Sequence, residues 1–286
     1  VAADYEIILV EDAGRDNSWA VIQTITRDYS EQVRAFQLMR NYGQHSALLC
    51  GIRAAHGDII VTMDDDLQHP PSEIAKLLAT LAEGYDVVYG KPEHERHNLW
   101  RALASQVTKI VLQNAMGAQT ARSISAFRAF RAPVCAAFAG YNSPFVNLDV
   151  LLTWGTTRFA TVAVRHEPRT IGVSNYTLRK LITHSFNMMT GFSTLPLQIA
   201  SILGFGVTMF GIGILVYVVG RYLLEGGTEF PGFPFLASAI AIFSGAQMFA
   251  IGIIGEYLAR MHFRSMGKPA YVVREDSAEV KVLSAE

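Results

Sequence analysis

Residues Asp58 to Pro71 read DIIVTMDDDLQHPP. The apolar, β-branched first part of this run predicts a buried strand over 58–63. Three aspartates follow directly, and clustered carboxylates repel one another unless a positive charge lies between them. Alternation along an extended chain directs Asp64 and Asp66 to one side and Asp65 to the other. The run therefore predicts a strand that ends at a cation site.

Strand and helix patterns alternate on both sides of this run. Two strand-like segments precede it, EIILV (Glu6–Val10) and VRAFQL (Val33–Leu38), with a helical stretch from Trp19 to about Tyr29 between them. After it, PPSEIAKLLATLAEG places prolines at a helix start and Gly84 at its end, before the strand-like YDVVYG. Such alternation predicts an α/β fold with a mostly parallel sheet covered on both faces.

Two acidic turns fall where such a sheet binds its ligands, beyond the carboxyl ends of the strands. Glu11 and Asp12 end the first strand, and the three aspartates end the third, so we expect one crevice lined by both. The carboxylates of Asp64 and Asp66 and the amide oxygen of Gln68 suit a hard cation, Mg²⁺ or Mn²⁺. Such an ion usually completes its coordination with water and substrate phosphates, which favours a nucleoside diphosphate as ligand.

The last third of the chain is strongly apolar. Neither Leu197–Gly220 nor Phe230–Gly255 contains a charged residue, and each is longer than the ~20 residues that cross a bilayer core. We therefore predict a two-helix transmembrane hairpin, with two buried core helices as the alternative. Because basic residues flank the pair on both outer sides, the positive-inside rule predicts a cytoplasmic N-terminal part. These residues are Arg179, Lys180, Arg260, Arg264 and Lys268.

Between the two parts lies YTLRKLITHSFNMMTGFSTLP (176–196), whose apolar residues recur at helical spacing. This pattern indicates an amphipathic helix in the membrane interface, or else a stripe that packs on the catalytic domain. The predicted organisation has four parts: an α/β catalytic domain at 1–175, the interfacial helix at 176–195, two transmembrane helices at 196–258 and a cytoplasmic tail at 259–286.

Composition excludes several other classes of protein. Half of the 286 residues are hydrophobic and only 17% are charged, against about 25% in soluble domains. The formal net charge of −1 gives no sign of a nucleic-acid partner. The two cysteines, Cys50 and Cys135, lie far apart, so a zinc site or disulfide framework is not expected and a reducing compartment fits.

Several strings together carry a family resemblance. They are EIILVEDAGRDNSW, RNYGQHSALLCGIRAAHGDIIVTMDDDLQHPP, GYDVVYG, SAFRAFR and HEPRTIGVSNYTLRKL, followed by the paired apolar spans. In this order they resemble the polyprenyl-phosphate glycosyltransferases, a GT-A-fold branch of the family-two enzymes that includes dolichyl-phosphate mannosyltransferase and the undecaprenyl-phosphate glucose and aminoarabinose transferases. The resemblance implies a bacterial inner-membrane enzyme that moves a sugar from a nucleotide-sugar, with uracil favoured as base, to undecaprenyl phosphate.

The resemblance also implies roles for individual residues. Asp64, Asp66 and Gln68 would hold the metal and the diphosphate, and Asp64 and Asp66 would form the catalytic group with Arg128. Asp12 would accept a hydrogen bond from the base, although a turn or helix-capping role is the alternative. The nucleotide group comprises Glu11, Asp12, Arg40, Asn41 and Asp64, with a purely structural turn as the alternative for Arg40 and Asn41. The acceptor-phosphate group comprises Arg101, Arg128, Arg131, Arg169 and Ser174, for which pairing with neighbouring carboxylates is the alternative.

An acceptor of this kind explains why no general base stands out. A lipid phosphate is already an anion at neutral pH, so it can attack the anomeric carbon without losing a proton, whereas a sugar hydroxyl would need a base. We expect a single inverting displacement in which cationic side chains neutralise the acceptor. Asp149, in FVNLDVLL, is predicted to be structural because its neighbours are apolar.

Three other readings stay open on the sequence. A polysaccharide synthase of the same fold would carry a QxxRW motif and more spans, which this sequence does not show. A nucleotidyltransferase could use paired aspartates but would not need the spans. A non-catalytic membrane protein that binds nucleotide sugar is the third, because the family's VVIPxYNE-like opening strand has no counterpart here and the sheet is expected to lack an interior strand. The sugar, the pathway and any homo-oligomer are not specified.

Overall fold

The computed structural model describes residues 4–92, 124–167, 195–225 and 232–278. The chain divides into two compact units, one formed by 1–188 with 263–286 and the other by 189–262. The predicted interfacial helix at 176–195 lies outside the described residues except for Leu195.

The first unit has an α/β architecture. Its described strands are β1 (Ile7–Glu11), β2 (Val33–Leu38), β3 (Ile59–Thr62), β4 (Val87–Pro92), β5 (Arg128–Arg131), β6 (Phe159–Val164) and β7 (Val273–Asp276). Its described α-helices are α1 (Ser18–Asp28), α2 (Gln44–Ala54), α3 (Ile74–Ala82) and α4 (Leu148–Gly155). Short 3₁₀ helices cover Pro71–Glu73 and Ala132–Phe138.

The strands form two mixed sheets. In the first, with strand order β1-β2-β7, β1 is parallel to β2 and β7 is antiparallel to β2. In the second, with order β3-β5-β4-β6, β5 is antiparallel to both of its neighbours and β4 is parallel to β6. The prediction of a mostly parallel arrangement was therefore wrong in part. It relied on the strand–helix alternation before residue 92, whereas the reversed strands β5 and β7 come from later segments without that alternation.

Two apolar clusters support the carboxyl ends of the strands. Leu77 and Leu81 on α3 pack against the second sheet, in a cluster with Val88, Phe127, Ala129 and Val164. Phe36 and Leu38 on β2 pack with Cys50 on α2. Burying a side chain of this size stabilises the fold by about 1.5–3 kcal/mol. Val61 on β3 packs against the first of these clusters, so the strand that leads into the aspartates is attached to this core.

The second unit contains two long apolar helices. They are α5 (Leu195–Glu225, 31 residues) and α6 (Gly232–Ser265, 34 residues), whose last residues belong to the first unit. The windows Leu197–Ile214 and Ile242–Ser265 have mean hydropathies of 1.8 and 1.4. At 1.5 Å per residue each helix exceeds the ~30 Å bilayer core. By length and composition, both could cross a membrane.

Candidate active site

The three aspartates follow β3 and differ in exposure as the sequence predicts. Asp64 and Asp66 are half-buried, while Asp65 is exposed. Leu67 has a positive φ of 58°, so the chain turns sharply after the aspartates. In this turn the Gln68 backbone N–H donates to Asp66 Oδ1 at 3.2 Å. The turn therefore holds the two half-buried carboxylates at the end of the strand.

The electrostatics of this carboxylate pair suit a cation. Burial raises the pKa of Asp64, and the charges of Asp66 and Asp65 raise it further, whereas Arg128 and a hydrogen bond from Gln44 lower it. The Gln44 Nε2 atom donates to Asp64 Oδ1 at 2.6 Å. A divalent cation would relieve the repulsion between the carboxylates.

The oxygen ligands of Asp64, Asp66 and Gln68 fit a hard cation that is only partly coordinated by the protein. Among the described residues, no group of three or more His, Cys, Asp or Glu side chains could hold a metal ion. A closed site of the zinc type is therefore not formed within the described ranges. Two carboxylates and an amide match the few protein ligands that Mg²⁺ usually has when substrate phosphates and water complete its coordination.

The second acidic turn organises the neighbouring loop. Asp12 accepts backbone N–H groups from Tyr42 and Gly43, each at 2.7 Å and each on a different carboxylate oxygen. Gly43 has a φ of 93°, a conformation that favours glycine. The Arg40 guanidinium lies 4.4 Å from the centroid of the Tyr42 ring. Asp12 thus fixes the loop between β2 and α2, and this engagement agrees with the turn role that was the alternative for it.

Glu11 differs from Asp12 in having an unengaged oxygen. Its side chain is buried, and Oε1 accepts the backbone N–H of Gly14. Its Oε2 atom is buried and has no hydrogen-bond partner among the described residues. The predicted nucleotide residues Arg40 and Asn41 are exposed on the loop that leads into Gln44, the residue bonded to Asp64. Asp12 and Asp64 are thus both bonded to the segment 42–44, which directly follows Arg40 and Asn41.

Sequence reasoning missed a contact between the acidic loop and the segment after β6. The Glu167 backbone N–H donates to the Gln68 carbonyl at 2.8 Å, and Gln68 Nε2 donates to the Glu167 carbonyl at 3.3 Å. The His69 and His166 rings approach at 3.4 Å between Nε2 and Nδ1, and His69 stacks on Phe127. Both histidines stand in the strings that carry the family resemblance, which is the signal that could have pointed to them. The contact joins the acidic loop to the residues that precede Arg169.

Two of the arginines predicted to bind the acceptor phosphate lie in the described residues, and they differ in burial and in hydrogen-bond partners. Arg128 is buried and pairs with Asp149, which is itself buried at the start of α4. Arg131 lies at the other end of β5, where it pairs with Ile59 at the start of β3 and donates to the carbonyls of Leu81 and Tyr85. Arg131 thus contacts the end of α3, at the opposite end of β5 from Arg128. Three further members lie outside the described residues: Arg101, Arg169 and Ser174.

Comparison with known proteins agrees with this geometry. Residues 2–138 match Glycosyl transferase family 2. The proteins named undecaprenyl-phosphate 4-deoxy-4-formamido-L-arabinose transferase from Yersinia enterocolitica and Yersinia pestis are each 33% identical to the chain over 283 residues, covering 99% of this chain and 85% of the relative. The chain belongs to the polyprenyl-phosphate glycosyltransferases of family 2. This confirms the predicted resemblance.

Membership of this family also confirms that the chain is a glycosyltransferase enzyme of the GT-A class, and it decides against a nucleotidyltransferase. A solved structure, glucosyl-3-phosphoglycerate synthase from Mycobacterium tuberculosis, is similar with 18% identity and a TM-score of 0.44, over 65% of this chain and 69% of that one. Enzymes of family 2 commonly use divalent metals.

Proposed function

We propose that this polyprenyl-phosphate glycosyltransferase moves a sugar from a nucleoside-diphosphate sugar, with UDP as the carrier, to undecaprenyl phosphate at a membrane surface. The observation that carries the proposal is the match over 99% of the chain, apolar helices included, to relatives named as undecaprenyl-phosphate transferases. The geometry supports it, because two acidic turns meet at one edge of the fold.

The donor side of the proposed site is the edge formed by β1, β2 and β3. The buried Oε2 atom of Glu11 is available to accept a hydrogen bond from the nucleotide. Asp12 supports the same region by holding the loop that carries Arg40 and Asn41, whose exposed side chains can reach a ribose or phosphate. Arginine suits phosphate because its planar guanidinium can donate two parallel hydrogen bonds.

The diphosphate is proposed to lie over Asp64, Asp66 and Gln68. A bound Mg²⁺ or Mn²⁺ would neutralise the charge that develops on the departing diphosphate. The Gln44 side chain and the turn at Leu67 orient the carboxylates for this role. Because Asp64 is already half-buried, its interaction with a cation is less screened than on an open surface.

The proposed reaction is one displacement with inversion. A phosphate oxygen of the acceptor forms a bond to the anomeric carbon while the bond from that carbon to the donor's β-phosphate oxygen breaks. The nucleoside diphosphate leaves with the electron pair, and no proton has to be removed. Arg101, Arg169 and Ser174 are proposed to hold the acceptor phosphate, since two anionic reactants need cationic and hydrogen-bonding groups to approach each other.

The apolar helices are proposed to place this reaction at the inner membrane of a bacterium. The windows in α5 and α6 are almost entirely exposed in the structure, 6% and 0% buried, as lipid-facing segments would be. The amphipathic segment at 176–195 would lie in the interface, and the basic residues outside the two helices favour a cytoplasmic catalytic domain. The acceptor's phosphate would emerge from the bilayer beside the site.

The test uses membranes that contain the full-length protein. They are incubated with undecaprenyl phosphate and a panel of labelled nucleotide sugars, with and without a chelator of divalent cations. We expect one donor to give a lipid-linked product, the chelator to abolish it, and Asp66→Ala to lose it. The matched control is Asp65→Ala, which removes an exposed carboxylate from the same loop and should keep activity within about threefold because surface substitutions are usually mild. No lipid-linked product from any donor would contradict the proposal.

A further inference from the structure

A buried cluster of three side chains lies behind the aspartates. Tyr89, Arg128 and Asp149 are 0%, 2% and 6% exposed. Asp149 Oδ1 accepts one hydrogen bond from Arg128 Nη1 and another, at 3.0 Å, from the Tyr89 hydroxyl. The Arg128 Cζ atom also lies 5.6 Å from the centroid of the Tyr89 ring. A single carboxylate therefore anchors the guanidinium and the phenol.

Strand register brings this cluster close to the proposed cation site. Arg128 on β5 is paired across the sheet with Thr62 on β3, and Asp64 comes two residues after Thr62. The Arg128 charge counteracts burial, which raises the pKa of Asp64. Arg128 is thus bonded to Asp149, and its place on β5 puts it beside the end of the strand that leads into Asp64.

The anchoring carboxylate is itself held rigidly. Asn147 caps α4, because its side-chain oxygen accepts the Val150 backbone N–H at 3.1 Å. Asp149 lies in the first turn of this helix, where the helix dipole stabilises a negative charge. The position of Asp149 therefore follows from the start of α4.

We propose that Asp149 is a positioning residue that retains the Arg128 guanidinium in the interior and so keeps it from competing with a divalent cation for the Asp64 carboxylate, whose Oδ1 atom also accepts a hydrogen bond from Gln44. This inference rests on the proposed function. A buried charge that loses its partner is strongly destabilised and moves to another carboxylate where one is near. Asp64 follows Thr62, the residue paired with Arg128 across the sheet, and an arginine can occupy both oxygens of a carboxylate. Without Asp149, the guanidinium would compete with the cation.

The inference gives Arg128 a role other than binding the acceptor phosphate. Its side chain is 2% exposed and its Nη1 atom is already paired with Asp149, so we infer that it acts on the reaction through Asp64. The two roles make different predictions, because a phosphate ligand would affect the KM for undecaprenyl phosphate, whereas a restrained neighbour of Asp64 would affect binding of the metal.

The test measures Mn²⁺ binding directly, by electron paramagnetic resonance of free Mn²⁺, on the purified full-length protein with and without UDP. We expect Asp149→Asn to weaken Mn²⁺ binding by about tenfold or more, equivalent to about 1.4 kcal/mol. Removing the competing guanidinium as well, in Arg128→Met/Asp149→Asn, should return the affinity to within about threefold of the wild type. The KM for undecaprenyl phosphate of the single variant should stay unchanged.

Other results would overturn the inference. Normal Mn²⁺ binding by Asp149→Asn, together with lost transfer, would place Asp149 at the reacting atoms instead. Equally weak binding by the single and double variants would mean that the pair only holds the fold. If Asp149→Asn does not fold, Tyr89→Phe is the second variant, because it removes one hydrogen bond to Asp149. We expect it to weaken Mn²⁺ binding about threefold, consistent with the loss of one buried hydrogen bond. Unchanged Mn²⁺ binding in Tyr89→Phe would reject the proposal. Absence of Mn²⁺ binding by the wild type would instead contradict the proposed function.

Discussion

At the scale of single residues, the carboxylates of the two acidic turns differ in which of their oxygen atoms already accept hydrogen bonds. Asp12 uses both of its carboxylate oxygens on backbone N–H groups, so its contribution is to the loop at Tyr42 and Gly43. We expect Asp12→Asn to lower the free energy of unfolding by about 1.5–3 kcal/mol, because an amide can accept only one of these two charge-assisted hydrogen bonds. Thermal unfolding in detergent measures the change.

The control for Asp12→Asn is Asp65→Asn, which alters an exposed carboxylate and should leave the melting temperature nearly unchanged. An equal shift in both variants would show that net charge, and not the loop, determines the effect.

The two cysteines give a second prediction at this scale. Burial raises the pKa of both the Cys50 and the Cys135 thiol to about 11. Because the thiolate is the reactive form, both should react slowly with iodoacetamide at pH 8 in the folded protein and rapidly after unfolding. The stability that these neutral thiols confer is complete below the pKa of the unfolded thiol, about 8.5, and is lost as the pH rises towards 11. Rapid labelling of the native protein would contradict this account of burial.

The site residues found from the sequence follow from a local pattern, whereas those that were missed depend on contacts between distant segments. Asp64 and Asp66 are adjacent to a strand, and their alternation is a local property of the chain. The Arg128–Asp149 and His69–His166 contacts join residues 21 and 97 positions apart, so they depend on how separate elements pack. Local patterns in the sequence carry no information about such pairs.

At the scale of elements, the segment after α6 contributes a strand to the first sheet. It forms β7 beside β2, where Asp276 pairs with Arg34 at 2.6 Å and Glu275 accepts a hydrogen bond from the Trp19 indole at 3.0 Å. The sequence did not indicate this strand, since VRED is short and lacks an alternating apolar pattern. β2 thus gains a second neighbour next to the loop that Asp12 holds.

Replacing Asp276 tests whether β7 is fastened by this ion pair. Burial raises the pKa of Asp276, but hydrogen bonds from Arg34 and from the Ala278 N–H, with the Arg34 charge, bring it below its ordinary value. The pair therefore stabilises the fold above the unfolded pKa of about 3.9 and is lost as the pH falls below it. We expect Asp276→Asn to cost about 1 kcal/mol, the upper range for a partly exposed ion pair.

Hydrogen exchange of residues 273–276 measures this loss and should speed up about fivefold, the equivalent of about 1 kcal/mol. Arg274→Gln changes an exposed neighbour in the same strand and serves as the control. Equal exchange in wild type and Asp276→Asn would show that backbone pairing alone holds β7.

At the scale of the whole molecule, the proposed hairpin with a cytoplasmic catalytic unit requires that α5 and α6 cross the bilayer in opposite directions. Alkaline phosphatase, which is active only outside the cytoplasm, can be fused after residue 225 or after residue 278. We expect activity in the first fusion and none in the second, because the flanking basic residues favour the cytoplasmic side. Activity in both fusions would contradict a hairpin with a cytoplasmic catalytic unit.

The long apolar runs were enough to predict two helices that could cross a membrane, and the family strings were enough to predict the family, because each depends on composition or on a continuous motif. The mixed direction of the sheets was not predictable in the same way, since β5 and β7 pair with strands far away in the sequence. Long-range pairing is decided by packing that no single segment specifies.

The most direct measurement is a diffraction experiment on the full-length protein with Mn²⁺ and UDP, using the anomalous signal of manganese to locate the ion. We predict one peak within coordination distance of the Asp64 and Asp66 carboxylates and of a UDP phosphate. A manganese peak elsewhere, or bound UDP whose phosphates lie away from these two aspartates, would contradict the account.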